Sequence, residues 1–162
     1  MLRYTTMQHT HGMTRYHYRG MLVGSAFRWS GDRTSPFNPV DLWNLWDSFE
    51  IQNSTMIGWW EDIEQGNGTV PVQVSNPAFR VTCYLKKGKG ALIAVADFTN
   101  DNTPYTTNVS LTFDWQALGL SKGDATLVAP VLKPFQLTGG NFSTDHVFEL
   151  NATHGGLLLL LS

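Results

Sequence analysis

The sequence predicts a mainly β chain in which a C-terminal antiparallel β-sandwich, residues 56–162, follows an incomplete βα segment, residues 1–55. Two observations predict the sandwich: apolar and polar residues alternate along several short runs, and turns rich in glycine and asparagine separate these runs. A third observation predicts the βα segment, because one apolar run near the N-terminus is followed by a helical pattern. One such unit cannot form a parallel sheet by itself, so we expect the first domain to be incomplete.

Composition restricts the class of protein and its partners. Apolar residues make up 42% of the 162 residues, charged residues make up only 15%, and the formal net charge is −2. Low charge with many threonine, asparagine and glycine residues is typical of β-rich extracellular proteins. No block of like charges occurs, which argues against nucleic acid or an anionic membrane as the main partner. The leucine run at 157–161 is far shorter than the roughly 20 residues that a membrane-spanning helix needs.

Five sequons of the N-x-[ST] type predict secretion and N-glycosylation. The first residues have no apolar stretch of the kind that marks a signal peptide. Both observations agree if the chain is the C-terminal piece of a longer secreted protein, which is our expectation. The sequon asparagines are Asn53, Asn67, Asn108, Asn141 and Asn151.

The N-terminal segment contains one apolar run that predicts a strand. Residues 20–27, GMLVGSAF, are apolar and bounded by glycine, as in a strand buried on both faces of a parallel sheet. A polar loop with one tryptophan follows at residues 28–33.

A helix is predicted from Pro39 to about Phe49. Asn38 can cap it, Pro39 suits its first position, and Asp41 lies in the first turn, where the helix dipole favours an anion. Its tryptophans, Trp43 and Trp46, are interpreted as core residues rather than as a ligand platform. Apolar side chains at i, i+3, i+4 and i+7 share one face: Leu42, Leu45, Trp46 and Phe49.

Short strands are predicted throughout the rest of the chain. The first contains the aromatic pair Trp59 and Trp60, and residues 86–90 form a glycine-containing hairpin loop. Asp114 can cap a brief helical turn at residues 115–119. The predicted strands span residues 56–60, 79–86, 91–98, 109–113, 125–129, 131–136, 147–150 and 157–161.

Three histidines and one cysteine were considered as reactive or metal-binding groups. His9, His11 and His17 lie in a polar stretch with no fixed spacing to a further ligand, so solvated histidines are favoured over a metal site. Cys83 lies in an alternating strand, so a buried, unreactive thiol is favoured over a nucleophile. No metal and no cofactor is predicted.

Three carboxylates next to a glycine turn were considered as a catalytic group. Glu61, Asp62 and Glu64 are close in sequence, and a pair of carboxylates can cleave a glycosidic bond by acid–base chemistry. Adjacent acids beside a turn are more often a solvated edge, and that interpretation is favoured. No catalytic residue is therefore assigned to them.

Several ordered segments together resemble one region of large proteins related to glycoside hydrolase family 123, many of whose members carry only a domain-of-unknown-function label. The N-terminal segments are GMLVGSAFRWSGD, NPVDLWNLWDSFEI and MIGWWED. The later ones are ALIAVADFTNDN, LTFDWQALGL, ATLVAPVLKPFQ and the final leucine strand. The resemblance extends over residues 18–161, nearly the whole chain.

The resemblance implies a position within a larger protein. In such proteins a (β/α)8 barrel is followed by a small β-sandwich, so residues 20–27 would be the last barrel strand and residues 38–50 the last barrel helix. Barrel active sites lie at the C-terminal ends of the strands. The substrate-binding residues implied at the rim of the cleft are Arg28, Trp29, Ser30 and Asp32.

The resemblance also implies a chemistry. Family 123 enzymes cleave N-acetylgalactosamine linkages with assistance from the substrate's acetamido group, using an Asp-Glu pair on an earlier barrel strand. No match to that pair is found in this sequence. For the loop itself, Arg28 can bind sugar hydroxyls and Trp29 can stack on a sugar ring. Alternatively, an Arg28–Asp32 ion pair only holds the loop in place.

The sequence and the resemblance leave three alternative functions for this chain. The first is the C-terminal portion of a secreted glycoside-hydrolase-like protein, in which the sandwich braces the barrel and the catalytic residues lie upstream. The second is a stand-alone carbohydrate-binding β-sandwich module that uses Trp29, Trp59 or Trp60. The third is a non-catalytic structural fragment. The expected partners are carbohydrate and the upstream barrel of the same chain.

Overall fold

The computed structural model describes residues 13–25, 39–61, 70–98, 106–133, 136–151 and 155–162. These residues form three α-helices, one 3₁₀ turn and ten β-strands. The helices are α1 (Met13–Leu22), α2 (Val40–Phe49) and α3 (Trp115–Leu118), and the 3₁₀ turn is Ile51–Asn53. The strands are β1 (Thr55–Ile57), β2 (Val72–Val74), β3 (Phe79–Lys86), β4 (Gly90–Asp97), β5 (Thr106–Val109), β6 (Leu111–Phe113), β7 (Leu127–Ala129), β8 (Gly140–Phe142), β9 (Phe148–Asn151) and β10 (Gly156–Leu161).

Six of the strands form one antiparallel sheet in the order β1-β3-β4-β10-β7-β8. Its centre is the long β3–β4 hairpin, whose register runs from Phe79 opposite Asp97 to Lys86 opposite Gly90. The C-terminal strand β10 pairs with the other side of β4. Two small antiparallel pairs, β2–β6 and β5–β9, complete the described strands. The predicted mainly β fold is confirmed.

The central strands are buried on both faces. Along β3, Val81, Cys83 and Leu85 point into one core, whereas Tyr84 points into a second core on the opposite face. This is the period of two that a strand requires. The first core is the sandwich core between the main sheet and the two small sheets, which supply Val72, Val109, Leu111, Phe148 and Leu150.

Helices α1 and α2 cover the second face of the main sheet, and together they form a helical layer. The backbone carbonyls at the end of α1 accept hydrogen bonds from the sheet: Tyr84 Oη donates to Met21 O at 2.5 Å, and Thr82 Oγ1 donates to Leu22 O at 2.7 Å. Helix ends leave such carbonyls without intrahelical partners, so these hydroxyls satisfy them inside the core. The layer buries Tyr18, Met21, Leu22, Leu42 and Leu45.

The predicted strand over residues 20–27 is wrong. Residues 20–22 belong to α1, a turn follows, and Gly24 has a positive φ of 65°. Tyr18, Met21 and Leu22 are spaced i, i+3 and i+4, so they share a helical face that begins before the apolar run at Gly20. Residues 26 and 27 lie outside the described part of the chain.

The predicted helix from Pro39 to about Phe49 is confirmed in its body and differs at its start. Leu42 and Leu45 are buried, as the spacing predicted. Pro39 is the N-cap and forms no side-chain cap, so the helix begins one residue later than expected. Glu50 ends it in a left-handed conformation, φ 52°, with its N–H bonded to the Asp47 carbonyl at 3.0 Å.

The sandwich strands are mostly where the alternation predicted them. Asp114 caps α3, since its side chain accepts the Ala117 N–H at 2.9 Å. The predicted strand over 131–136 is wrong for its described residues, 131–133 and 136, because among them only an isolated bridge joins Leu132 to Gln136. The Gln136 side chain is buried and bonds to the carbonyls of Pro130 and Leu158, which folds this segment onto β10. Strands β2 and β8 were not predicted.

Candidate functional site

The residues predicted to line a substrate cleft all lie outside the described part of the chain, so their role stays a prediction. They are Arg28, Trp29, Ser30 and Asp32. The structure does locate three other features that are candidates for binding or chemistry. These are an aromatic–cationic cluster beside the end of β1, a polar cleft next to it, and an apolar cavity under the helical layer.

The aromatic–cationic cluster consists of Arg19, Trp59, Trp60, Arg80 and Phe98. The Trp59 and Phe98 rings are 4.9 Å apart between centroids, and Trp60 meets Trp59 edge-on at 6.0 Å. Arg80 Cζ lies 5.4 Å from the Trp59 ring, and Arg19 Cζ lies 5.9 Å from the Phe98 ring. Trp59 is thus packed against three neighbours, so it is not the open stacking platform that a sugar ring needs.

Trp59 and Trp60 were expected on a strand, and they lie in the turn that follows β1. Gly58 makes this turn possible, because a Cβ there would lie 2.4 Å from the Trp60 ring. The Trp59 Nε1 is buried and has no hydrogen-bond partner among the described residues. A buried donor without a partner costs free energy, so tryptophan at this position is favoured by ring packing rather than by its N–H.

A cleft of about 300 Å³ adjoins this cluster. The Arg80 guanidinium is held at its rim by hydrogen bonds from Nη1 to the carbonyls of Phe79, at 2.8 Å, and Pro77. A fixed guanidinium with further N–H groups can bind a carboxylate or a sugar hydroxyl, and the exposed Gln73 adds an amide. The lining residues are Trp59, Val70, Val72, Gln73, Val74, Pro77, Phe79, Arg80 and Val81.

A second cavity of about 350 Å³ lies between the helical layer and β1. Most of its wall is apolar. Trp46 contributes to it, and the buried Nε1 of this residue has no hydrogen-bond partner in the part of the chain that the structure describes. A cavity of this kind favours an apolar occupant. The lining residues are Met21, Gly24, Ser25, Trp46, Ile51, Gln52, Ser54, Met56 and Tyr84.

One carboxylate is fully buried. Asp97, the last residue of β4, has a side-chain exposure of 0%, and its Oδ2 lies 3.5 Å from Arg19 Nη2. Arg19 Nε also donates to the Asp97 carbonyl oxygen at 2.7 Å. A buried carboxylate requires such a partner. This pair ties α1 to the centre of the main sheet.

The other carboxylates with known partners also have structural roles. Glu61, considered above as a possible acid or base, accepts the Gly58 N–H at 2.9 Å and closes its own turn. Its sequence neighbours Asp62 and Glu64 lie outside the described residues. A hydrogen bond from Lys86 lowers the pKa of the exposed Glu50. The remaining pairs are Asp41 with the Lys133 N–H at 2.9 Å and Asp145 with Lys122 at 3.1 Å.

Cys83 is the buried thiol that the alternation predicted. Its exposure is 0%, and burial raises the pKa of the thiol to about 12. The thiol is therefore protonated at neutral pH and is a poor nucleophile. Within the described ranges no group of three His, Cys, Asp or Glu side chains could hold a metal ion. Nor is any described helix long and apolar enough to cross a membrane.

The chain was compared with known proteins. A family model described as Glycoside hydrolase 123, C-terminal domain matches residues 38–161. The chain belongs to this family. Neither the curated proteins nor the solved structures contain a match.

The match confirms the resemblance to a C-terminal part of proteins related to glycoside hydrolase family 123. The glycoside hydrolase 123 C-terminal domain here includes α2 and all ten described strands, whereas α1 precedes the matched range. The expected division at residues 55 and 56 is not tested and stays a prediction. Neither the Asp97–Arg19 pair nor the Arg80 cleft could be predicted from the sequence. Asp97 and Arg19 are distant in the chain, and Arg80 is a single arginine within a strand pattern.

Proposed function

We propose that this chain is the non-catalytic C-terminal portion of a secreted glycoside hydrolase and that it braces an upstream catalytic barrel. The attachment of α1 to the main sheet carries the proposal. Tyr84 and Thr82 bind the end of the helix, and Asp97 binds Arg19 within it. The segment that leads into the family domain is thereby fixed to the domain's core.

The placement of the carboxylates supports catalysis elsewhere in the parent protein. Glycoside hydrolysis uses two carboxyl groups on opposite sides of a cleft, about 5–9.5 Å apart. Among the described carboxylates, Asp97 is buried against an arginine, Asp114 caps a helix, and Glu61 closes a turn. Each of these three carboxylates therefore already has a structural partner.

The predicted loop of Arg28, Trp29, Ser30 and Asp32 would contribute to the substrate cleft. It starts six residues after Leu22, a distance of at most about 20 Å along an extended chain. Arg28 and Trp29 supply the groups that this role needs, because a guanidinium can bind sugar hydroxyls and an indole can stack on a sugar ring.

An activity assay tests the catalytic part of the proposal. The purified chain should not hydrolyse p-nitrophenyl N-acetyl-β-galactosaminide above the background rate, whereas a family 123 hydrolase assayed in parallel should. Turnover at an enzyme-like rate by the 162-residue chain would place the catalytic groups inside it and reject the proposal.

The bracing role has its own test in the longer parent protein. The double variant Thr82→Val, Tyr84→Phe removes both hydroxyl donors to α1 with little change in side-chain volume. Each hydrogen bond should contribute about 1 kcal/mol. We expect the parent enzyme to lose activity at a lower temperature while its kcat at 25 °C is unchanged. Unaltered heat inactivation would argue against bracing.

The cleft beside Arg80 favours carbohydrate binding as a second candidate function. Its fixed guanidinium and the exposed Gln73 amide suit an acceptor-rich ligand, and Trp59 provides a fluorescent reporter at the rim. Titration with oligosaccharides should change the tryptophan emission of the wild type and not that of Arg80→Gln. No spectral or calorimetric change with either protein would reject this candidate.

A further inference from the structure

Two of the sequons coincide with the two free edges of the main sheet. β1 and β8 are its outermost strands in the described part of the chain. Asn53 lies two residues before β1, and the sequon threonine, Thr55, is the first residue of that strand. Asn141 is the middle residue of β8. Both asparagines are exposed, and the inner strands β3, β4, β7 and β10 carry no sequon.

Free sheet edges present unpaired backbone N–H and C=O groups, which can pair with another copy of the chain. Proteins usually protect such edges with charged side chains, proline or bulges. Neither β1, with sequence TMI, nor β8, with sequence GNF, contains a charge or a proline. The two edges thus lack the usual protection by side chains.

The surroundings of β8 increase the tendency to associate. Val131 and Leu137 are apolar and exposed, at 52% and 67% of their full surface. Val131 lies beside Gly139, which directly precedes the strand. An exposed strand edge next to apolar side chains is an association site in an unmodified protein.

We propose that N-linked glycans at Asn53 and Asn141 cover the two edges of the main sheet and keep the protein monomeric. The inference rests on the proposed secretion, because the enzymes that attach N-linked glycans act on chains in the secretory pathway. In the transfer, the side-chain amide nitrogen bonds to the anomeric carbon of a lipid-linked oligosaccharide diphosphate. The lipid diphosphate leaves and the nitrogen loses one proton. A large solvated glycan at either position then blocks the approach of a second strand.

The geometry at Asn53 is compatible with this modification. The Asn53 side chain forms a hydrogen bond with Glu50, which contributes to the lowered pKa of that carboxyl. A glycosylated amide keeps one N–H, so the bond to Glu50 can persist. Asn53 also ends a 3₁₀ turn rather than lying inside a paired strand, which leaves its side chain accessible.

Asn108 provides a matched control. It is an exposed sequon asparagine, but it lies on β5 in a small two-stranded sheet, opposite Glu149 of β9. Glu149 is a charge of the kind that protects an edge. Loss of the Asn108 glycan should therefore have little effect on association, although it removes the same mass of carbohydrate.

The test uses the full chain secreted from eukaryotic cells. Glycopeptide mass spectrometry should find glycans on Asn53 and Asn141, and sedimentation velocity should show a monomer. Asn141→Gln and Ser143→Ala remove the same glycan by different substitutions. Both should associate at a protein concentration about tenfold lower than the wild type, and Asn53→Gln should behave similarly. Asn108→Gln should stay monomeric, and thermal unfolding should confirm that all four variants are folded.

The outcomes separate this inference from the proposed function. Glycans at Asn53 and Asn141 whose removal leaves a monomer would overturn the edge role and leave secretion intact. An absence of glycans on every sequon would overturn both. Asn141→Lys serves as a rescue, because a lysine protects an edge without a glycan. It should be more monomeric than Asn141→Gln, and equal association of the two would count against an exposed edge.

Discussion

The buried carboxylate of Asp97 is the residue on which the attachment of α1 most depends. Its side chain is fully buried, and Arg19 is a cationic partner at 3.5 Å. Asp97→Asn keeps the shape of the side chain but removes the charge that balances the guanidinium. Removal of one member of a buried pair commonly costs about 3 kcal/mol or more. Because Arg19 is partly exposed, at 23%, we expect a cost at the lower end of this range, about 3 kcal/mol.

Urea unfolding of Asp97→Asn measures this loss. The control is Asp124→Asn, an exposed carboxylate, which should change the free energy of unfolding by less than about 0.5 kcal/mol. Equal stability of the two variants would show that Asp97 does not contribute through its charge.

Because the Cys83 thiol is buried, we expect the protein to lose stability at alkaline pH. Burial raises its pKa in the folded state to about 12 from an ordinary value of 9.0. Above pH 9 the unfolded chain has released this proton and the folded chain still holds it, so the free energy of unfolding falls as pH rises. The contribution is about 1.4 kcal/mol for each pH unit between pH 9 and 11.

Cys83→Ala isolates that contribution. The variant is less stable than the wild type at pH 7, because it leaves a small cavity in the core. Its free energy of unfolding should nevertheless fall less steeply above pH 9. Burial also raises the pKa of Tyr18 and Tyr84, so both proteins lose stability above pH 10 and only the difference between them reports Cys83. Parallel pH profiles would contradict a buried neutral thiol.

Among the elements, α1 is the one whose contribution to stability is least expected from the sequence. Leu22 is fully buried against the main sheet, whereas its neighbour Val23 is 49% exposed. Leu22→Ala should lower the free energy of unfolding by about 2–5 kcal/mol, and Val23→Ala by less than about 0.5 kcal/mol. Chemical denaturation of the matched pair checks this, and a similar small loss for both would mean that α1 is not docked.

Strands and helices differed in how well the sequence predicted them. The alternation of Val81, Cys83 and Leu85 with polar neighbours predicted β3, because its two faces meet different cores. The short apolar run at residues 20–27 could not distinguish a buried strand from a helix end. The helical face becomes clear only when Tyr18 is included. Tyr18 was not counted with the apolar run, because its side chain ends in a hydroxyl and the residue lies before the run. β8 was missed because glycine and asparagine dominate it.

The candidate site was less predictable than the fold. The polar cleft depends on Arg80 being held by the carbonyls of Pro77 and Phe79 and stacked on Trp59. Only folding brings these residues together, so an isolated arginine in a strand pattern carries no signal. The substrate-binding role of Arg28, Trp29, Ser30 and Asp32 came from resemblance alone and stays a prediction.

At the scale of the whole molecule, the same strands supply both cores. Successive residues of β4 illustrate this, since Ile93 packs into the sandwich core and Leu92 packs under the helical layer. A change in either core therefore acts on the same hydrogen-bonded sheet. We expect the helical layer and the sandwich to unfold as one cooperative unit, despite the sequence-based division at residues 55 and 56.

Equilibrium unfolding with two probes tests this cooperativity. Trp46 lies in the helical layer and Trp115 packs on the sandwich core, so single-tryptophan variants that keep one or the other report each side separately. Both probes should give the same urea midpoint, and Leu22→Ala should shift the two midpoints equally. If the Trp46 midpoint shifted alone, the helical layer would be an independent unit, as expected for the end of a barrel domain. Equal shifts mean instead that the helical layer and the sandwich unfold as one unit, because only a shared core transmits the loss at Leu22 to Trp115.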